Sequence, residues 1–391
     1  MKRGLTGTYV DVAAPGLTAY RAFDPHPLPP SLPIDMGGSL RDELDAAHLA
    51  LGRLDGVSAL LPDKTLFLYS YIRKEAVLSS QIEGTRSSLS DLLLFEIEEV
   101  PGVPLDDVQE VSCYVRALEH GLKLIKTGLP VSNRLLCEIH RELLSHGRGS
   151  NKSPGSFRAS QVWISGHSPA DAEFVPPPPD RVNDRMAELE RFLNDLPART
   201  PTLLKAGLAH PQFETIHPFN DGNGRVGRLL ITLLLCKEGV LQDPLLYLSH
   251  HFKANRAEYY ELLQRTRIEG DWEAWLSFFL RGVADVSTQA AAKARRLVEL
   301  FAKDRQRLEA SGRRAGSALR VHHALQRRPL MNVATLMRET KLSKPTTLAA
   351  LELLQEADVR IVREITGKRR NRVFSYNRYI AILNEDEPAA A

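Results

Sequence analysis

Twelve consecutive residues, His217-Pro218-Phe219-Asn220-Asp221-Gly222-Asn223-Gly224-Arg225-Val226-Gly227-Arg228, bring together a base, a carboxylate, flexible backbone and two guanidinium groups. A histidine, with an ordinary pKa of about 6.5, can take a proton from an attacking hydroxyl. Asp221 is a hard oxygen ligand suited to the Mg²⁺ that accompanies a polyphosphate. Gly222 and Gly224 allow positive φ and close approach of backbone amides to a ligand. An apolar-faced helix follows, with Val226, Leu229, Leu230, Leu233 and Leu234 along it. The N–H groups at such a helix start form a site for phosphate oxygens. Arg228 lies three residues after Arg225, about 4.5 Å along the axis, so both can serve one polyphosphate. Any one of these residues reads equally well as part of a turn before a helix. Their combination reads as a phosphate site with a base beside it.

The elements that must position this loop are mostly helical. Three- and four-residue apolar steps begin at Leu40, Leu44, Ala47 and Leu51, and a second helix reads from about Lys64 to Ser80. Further helical segments cover 106–127, 132–144, 180–194 and 203–214. The first 35 or so residues, with Asp24-Pro25-His26-Pro27-Leu28-Pro29-Pro30, favour extended backbone, an arm laid on a later domain or a disordered lead-in. Between the helices, Phe157–Ile164 and Ala172–Val175 are short β-prone runs around Gly166-His167-Ser168-Pro169, which predict a β-hairpin flap.

Composition sets outer bounds. The chain has 391 residues, 43% hydrophobic and 25% charged, as an ordinary soluble protein of two or three domains has. Its longest apolar run, Leu229 to Cys236, is far short of the roughly 20 residues that span a bilayer. No membrane contact and no signal peptide are expected. The cysteines Cys113, Cys137 and Cys236 are scattered, which suggests neither disulfides nor a metal pair and fits a cytoplasmic setting. HExxH, CxxC and Gly-x4-Gly-Lys-Ser/Thr patterns are absent, which disfavours a metal hydrolase or a P-loop kinase.

The run His217-Pro218-Phe219-x-Asp221-Gly222-Asn223-Gly224-Arg225-x-x-Arg228 resembles the signature of the Fic (Fido) family at every fixed position. The resemblance implies a transferase that moves AMP from ATP, with Mg²⁺, to a Tyr, Thr or Ser hydroxyl of a target protein or of the chain itself. It implies His217 as the base and Asp221 as the Mg²⁺ ligand. Gly222, Asn223 and Gly224 would cradle the α- and β-phosphates, Arg225 would bind nucleotide beside them, and Arg228 would hold the γ-phosphate. The flap resembles the family's hairpin, which registers a target's backbone by strand addition. Asn255-Arg256-Ala257-Glu258-Tyr259-Tyr260 resembles the segment against adenine, which carries Asn255 and Tyr259 over as nucleotide contacts. A phosphotransferase of the related Doc type would replace Gly224 with lysine. A relative that transfers another phosphate-containing group, such as UMP or phosphocholine, stays open.

Upstream, Ser79-Ser80-Gln81-Ile82-Glu83-Gly84 resembles the family's inhibitory pattern, which implies Ser79, Glu83 and Gly84 as regulatory residues. A Glu83–Arg228 pair would keep the arginine from the γ-phosphate, and burial would lock that state. In some relatives the equivalent glutamate supports removal of AMP, and relatives with such a segment often form homodimers.

The C-terminal part carries the charge. From Phe301 to Tyr376 there are 17 Lys+Arg against 7 Asp+Glu, which leaves 34 against 41 elsewhere. Alanine- and charge-rich Ala290–Arg307 reads as a connecting helix and Ala310–Gly316 as a linker. Helices over 318–327, 333–340 and 344–355, then strands over 359–366 and 372–376 around Gly367-Lys368-Arg369-Arg370-Asn371, resemble a winged helix-turn-helix. Such a module binds DNA or docks protein, and a transcription regulator that uses the Fic domain as a sensor is the non-enzymatic alternative. The expected fold is therefore mainly α. A helical N-terminal region (1–129) precedes a helical Fic core with the flap (130–282), a connector (283–316) and the winged module (317–391).

Overall fold

The computed structural model describes residues 3–13, 19–59, 65–97, 102–356 and 358–385. Lys64, where the second helix was expected to start, lies outside the described residues. The chain opens with an antiparallel pair, β1 (Gly7–Val12) and β2 (Tyr20–Pro25), in the register Gly7↔Pro25 to Val12↔Tyr20. Helices α1 (Ser39–Ala59), α2 (Thr65–Ile82), α3 (Leu89–Phe95), α4 (Leu105–Lys126), α5 (Asn133–Leu143), α6 (Val182–Leu193), α7 (Thr202–Ile216) and α8 (Asn223–Lys237) follow. Then come α9 (Ser249–Ala254), α10 (Arg256–Ile268), α11 (Trp272–Glu309), α12 (Ala315–Arg327), β3 (Leu330–Asn332), α13 (Val333–Thr340), α14 (Lys344–Gln355), β4 (Arg363–Glu364), β5 (Val373–Ser375) and α15 (Asn377–Asn384). None of these helices is long and apolar enough to cross a membrane.

At the centre stand α7 and α8, packed on each other. Every residue of α7 from Leu203 to Ile216 is buried, so this helix has no polar face to give a periodic signal. Around the pair lie α4, α5, α6 and α2, with α1 packed along α11. This shell fixes both ends of the loop between α7 and α8.

The N-terminal arm is laid on the body, as one of its two readings had it, but as a hairpin. The Phe23 amide donates to the Val175 carbonyl at 2.8 Å, so β2 joins the region expected to be a flap. That region is not a regular β-hairpin. Its strands reduce to one antiparallel bridge, Ile164↔Phe174. Pro176 to Pro179 follow immediately and offer no N–H groups, so the ladder cannot continue.

The boundary expected at residue 282 falls inside α11, a single 38-residue helix. The expected connecting helix is its second half. Beyond it, helices α12, α13 and α14 form close to their expected bounds. The Ser343 side chain caps α14 by accepting from the Thr346 amide, with Pro345 in the first turn. The two expected strands shorten to β4 and β5, and β3, unforeseen, pairs with β5 to give the order β3-β5-β4. Buried Asp304 of α11 accepts from Tyr376 (2.6 Å) and Arg378 (2.8 Å), fastening this module to the long helix. α15, also unforeseen, brings Tyr379 to Ser70 of α2 at 2.9 Å, and the Lys74 ammonium of α2 donates to the Leu383 carbonyl.

Candidate active site

The loop begins where α7 ends. His217 caps that helix in the left-handed conformation (φ 49°, ψ 60°), and Gly222 (φ 79°) turns the chain into α8. Asn223 closes the turn on itself: its Oδ1 accepts from the Phe219 amide and its Nδ2 donates to the Phe219 carbonyl, both at 2.8 Å. The side chain expected in the phosphate cradle is thus committed to shaping the loop. His140 of α5 stacks on Phe219 at 3.7 Å and accepts the Gly155 N–H at Nδ1. That bond fixes the proton on Nε2, which lies 3.0 Å from the Asp221 carbonyl. Burial draws His140 down to about 4, so the ring stays neutral. On the other side, Arg158 is buried and donates to the carbonyls of His217 (2.8 Å) and Pro177 (2.6 Å), tying the loop to the 157–177 segment. Neither His140 nor Arg158 was singled out from the sequence. Their work is hydrogen bonding to backbone across 59 to 81 residues of chain, which no local pattern records.

The two arginines part company, against the expectation that both serve one polyphosphate. Arg225 turns to Glu110 of α4, with Nη1 at 2.8 Å from Oε1, and to Asp221 Oδ1 at 3.3 Å. It is 1% exposed. In this arrangement Arg225 holds the loop in place. Glu110 is a positioning residue that the sequence reading missed.

Arg228, 2% exposed, turns to the end of α2. Its Nε donates to the Ser79 hydroxyl at 2.8 Å, and its Nη2 donates to the Ser79 carbonyl at 3.0 Å and to Glu83 Oε1 at 2.6 Å. Burial alone would raise the Glu83 carboxyl, but the guanidinium beside it brings it below its ordinary value. Glu83 Oε1 also lies against the first turn of α8: a Cβ on Gly224 would stand 2.3 Å from it. Gly84 (φ 100°) supplies the left-handed residue that turns the chain after α2. Ser79, Glu83, Gly84, Gly224 and Arg228 therefore form one cluster, 145 residues apart in sequence at its closest charge pair.

Asp221 keeps its side chain partly exposed, with Oδ1 accepting from the Gly222 amide at 2.5 Å. No group of three or more His, Cys, Asp or Glu gathers among the described residues to make a metal cage. A single carboxylate fits Mg²⁺ that arrives with a polyphosphate and keeps its other ligands.

Tyr259 does not face a nucleotide space. It is 1% exposed, stacks on Phe252 at 4.7 Å and bonds His210 at 2.7 Å. The helical period puts it in the core, and its neighbour Tyr260 is the exposed ring, with the Arg256 guanidinium over it at 5.3 Å. Asn255, between α9 and α10, donates to the His251 carbonyl at 3.0 Å and is half-buried.

Residues 130–235 match the family model described as Fic/DOC family, and residues 41–123 match the one described as Fic/DOC family N-terminal. The chain belongs to the Fic family. A protein adenylyltransferase Fic of Aedes aegypti is 34% identical over 212 residues, 52% of this chain and 38% of that protein. Its counterpart in Drosophila melanogaster is 30% identical over 250 residues, 63% of this chain and 45% of that protein. The chain thus spans less than half the length of these curated relatives. A crystal structure of a Fic family protein from Desulfovibrio desulfuricans G20 shares the fold, with a TM-score of 0.56 at 20% identity over 88% of this chain and 97% of that one. The Fic model covers the loop, α7 and α5, and the N-terminal model covers the end of α2 with Glu83.

Proposed function

We propose that this Fic protein transfers AMP from ATP to a hydroxyl of a target protein, self-modification included, and that Glu83 restrains the reaction. One observation carries the reading: the Glu83 carboxylate sits on Arg228 and against the first turn of α8, the place a polyphosphate would need. Curated relatives bearing the name protein adenylyltransferase support the choice of chemistry. His217 is the base. Burial draws it down to about 4, so it is unprotonated at neutral pH and ready to accept the hydroxyl proton. Asp221 would hold Mg²⁺, which supplies charge neutralisation on the phosphates when bound. The amides of Gly222 to Gly224 would receive phosphate oxygens, and Arg228 would take the γ-phosphate once Glu83 leaves. The 161–164 edge, with exposed Trp163, would receive an extended target segment.

The test uses Glu83→Gly with Mg²⁺ and ATP labelled at either the α- or the γ-phosphate. Protein label from α alone, at least about tenfold above the unaltered chain and lost with His217→Ala, is the expected result. Label from γ alone would make the chain a kinase, and no α-label with intact ATP binding would overturn transfer.

The basic C-terminal module favours a second role. We read α12, α13, α14 and the β3-β5-β4 sheet as a winged helix-turn-helix that meets DNA phosphates through Lys368, Arg369, Arg370 and Arg372. Binding to a duplex that does not fall steeply between about 50 and 200 mM salt would remove that role.

A further inference from the structure

Glu214 lies on the last turn of α7, three residues before the base, and the transferase reading leaves it without a task. Its Oε2 is 4.0 Å from His217 Nδ1. Glu214 Oε1 is buried without a hydrogen-bond partner, and the buried Nδ1 has no side-chain partner, only the backbone carbonyl of Glu214 beside the ring. A separation of 4.0 Å is too long for a hydrogen bond but suits an ion pair that forms when the ring is protonated, and such contacts tighten when substrate binds. Space for this carboxyl is built into the facing helix. A Cβ on Gly227 would stand 2.6 Å from Oε1 and 3.2 Å from the His210 ring. Gly227 falls outside the fixed positions of the family signature, and a glycine inside a helix costs about 1 kcal/mol relative to alanine.

The charges around the base show what the carboxyl is for. Burial disfavours a positive His217 most, and Arg158 and Arg267 add to it. The Glu214 backbone carbonyl and Glu83 oppose them, but Glu83 must leave Arg228 when ATP binds. Glu214 is anchored in α7 and stays.

Resting on the transferase reading, we infer that Glu214 is a positioning residue for His217. Its carboxylate holds the ring proton on Nδ1, leaves the Nε2 lone pair to the target hydroxyl, and balances the imidazolium that forms. In the step, the bond from the hydroxyl oxygen to Pα forms and the Pα–O bond to the β-phosphate breaks. Pyrophosphate leaves, and the hydroxyl proton ends on Nε2. Glu214 exchanges no proton.

Groups facing Glu214 are His210 and His217 on its own side, Arg228 from α8, Tyr259, Tyr260 and Arg267 from α10, and Glu83 beyond α2. Burial raises its carboxyl to about 7. Transfer therefore rises with pH as this carboxyl ionises, at a lower pH in Glu83→Gly because Glu83 is one of the charges that raise it. His217 contributes no titration of its own near neutrality.

The experiment compares Glu83→Gly with Glu83→Gly/Glu214→Gln, following self-labelling by α-labelled ATP from pH 5.5 to 9. Loss of Glu214 should lower the maximal rate about tenfold or more while half-saturating ATP changes by less than about twofold. It should also abolish that rise with pH. Equal rates and profiles would overturn the proposal. Gly227→Ala, which presses on Oε1, should act in the same direction. A readout independent of activity is NMR of the full chain carrying ¹⁵N-histidine, with His217 assigned from His217→Ala. The proposal requires the proton on Nδ1 above neutrality and a smaller Nδ1-protonated population in Glu214→Gln; a proton on Nε2, or a tautomer unchanged by Glu214→Gln, overturns it. If Glu83→Gly takes up no α-label while Glu214 is intact, the transferase reading falls and the tautomer measurement still decides the role of Glu214.

Discussion

Helix α2 is held at two places by different kinds of bond. At its C-terminal end, Arg228 is gripped by Ser79 and Glu83, and the guanidinium has a second class of partner, a phosphate, that can replace the carboxylate. Toward its middle, Ser70 and Lys74 meet Tyr379 and Leu383 of α15, where the partners are a hydroxyl and a backbone carbonyl deep in the fold. Under the proposed function the first contact is the exchangeable one, and Glu83 keeps 29% of its side chain exposed. The second is built to stay. A pair becomes a switch when one member is buried and fixed, the other reaches solvent, and a ligand carries the same charge as the mobile one.

Substitutions can break this contrast in either direction. The largest effect belongs to Glu83→Gly: AMP transfer should rise at least about tenfold, while the ATP-free chain loses thermal stability because buried Arg228 is left without its carboxylate. A drop in stability without gain of label would place Glu83 with the fixed contacts. Next, Lys74→Ala should lower stability by about 2–4 kcal/mol through a buried void and an orphaned Leu383 carbonyl. Denaturant titration checks this, and transfer by the folded fraction in a Glu83→Gly background should be preserved.

Between the two contacts, Glu75 is buried, accepts from the Ser249 hydroxyl (2.5 Å) and Tyr114 (3.2 Å), and is raised to about 7. A carboxyl raised by folding binds more protons native than unfolded, so it lowers stability as pH climbs from about 4.5 to about 7. Glu75→Gln should remove that decline, so its stability relative to the unaltered chain should improve by about 1–3 kcal/mol between pH 5 and pH 8. A constant difference across that range would show that Glu75 is ionised throughout. The smallest effect is Tyr379→Phe, which deletes the bond to Ser70 and should cost about 1 kcal/mol of unfolding free energy with no change in transfer.

The contrast also explains what could be read in advance. Ser79, Glu83 and Gly84 were legible as a short pattern, and His217 to Arg228 as a long one, because each is contiguous in the chain. The contacts of Ser70 and Lys74 were not, since their partners lie 309 residues away on a helix that the strand-like reading of the C-terminus left out. α7 was expected over 203–214 and forms over Thr202–Ile216, although a helix buried all round has no polar face to mark its period. The flap was overread, since β-prone residues say nothing of the four prolines that end its ladder. Tyr259 was assigned to nucleotide on its place in a motif, where the helical period turns it inward and Tyr260 outward.

The sequence by itself determined which groups are present: a histidine, one hard carboxylate, glycine-relieved backbone at a helix start, and a glutamate able to compete for an arginine. Those features follow from residue type and short spacing, which fix functional groups and local backbone. Tertiary structure decided what becomes of the other arginine. The family pattern paired Glu83 with Arg228 but left Arg225, three residues away on the same helix, beside the phosphates. Burial lets each guanidinium keep only the carboxylate that the surrounding helices bring within reach, so Glu110 on α4 claims Arg225 and Glu83 beyond α2 claims Arg228.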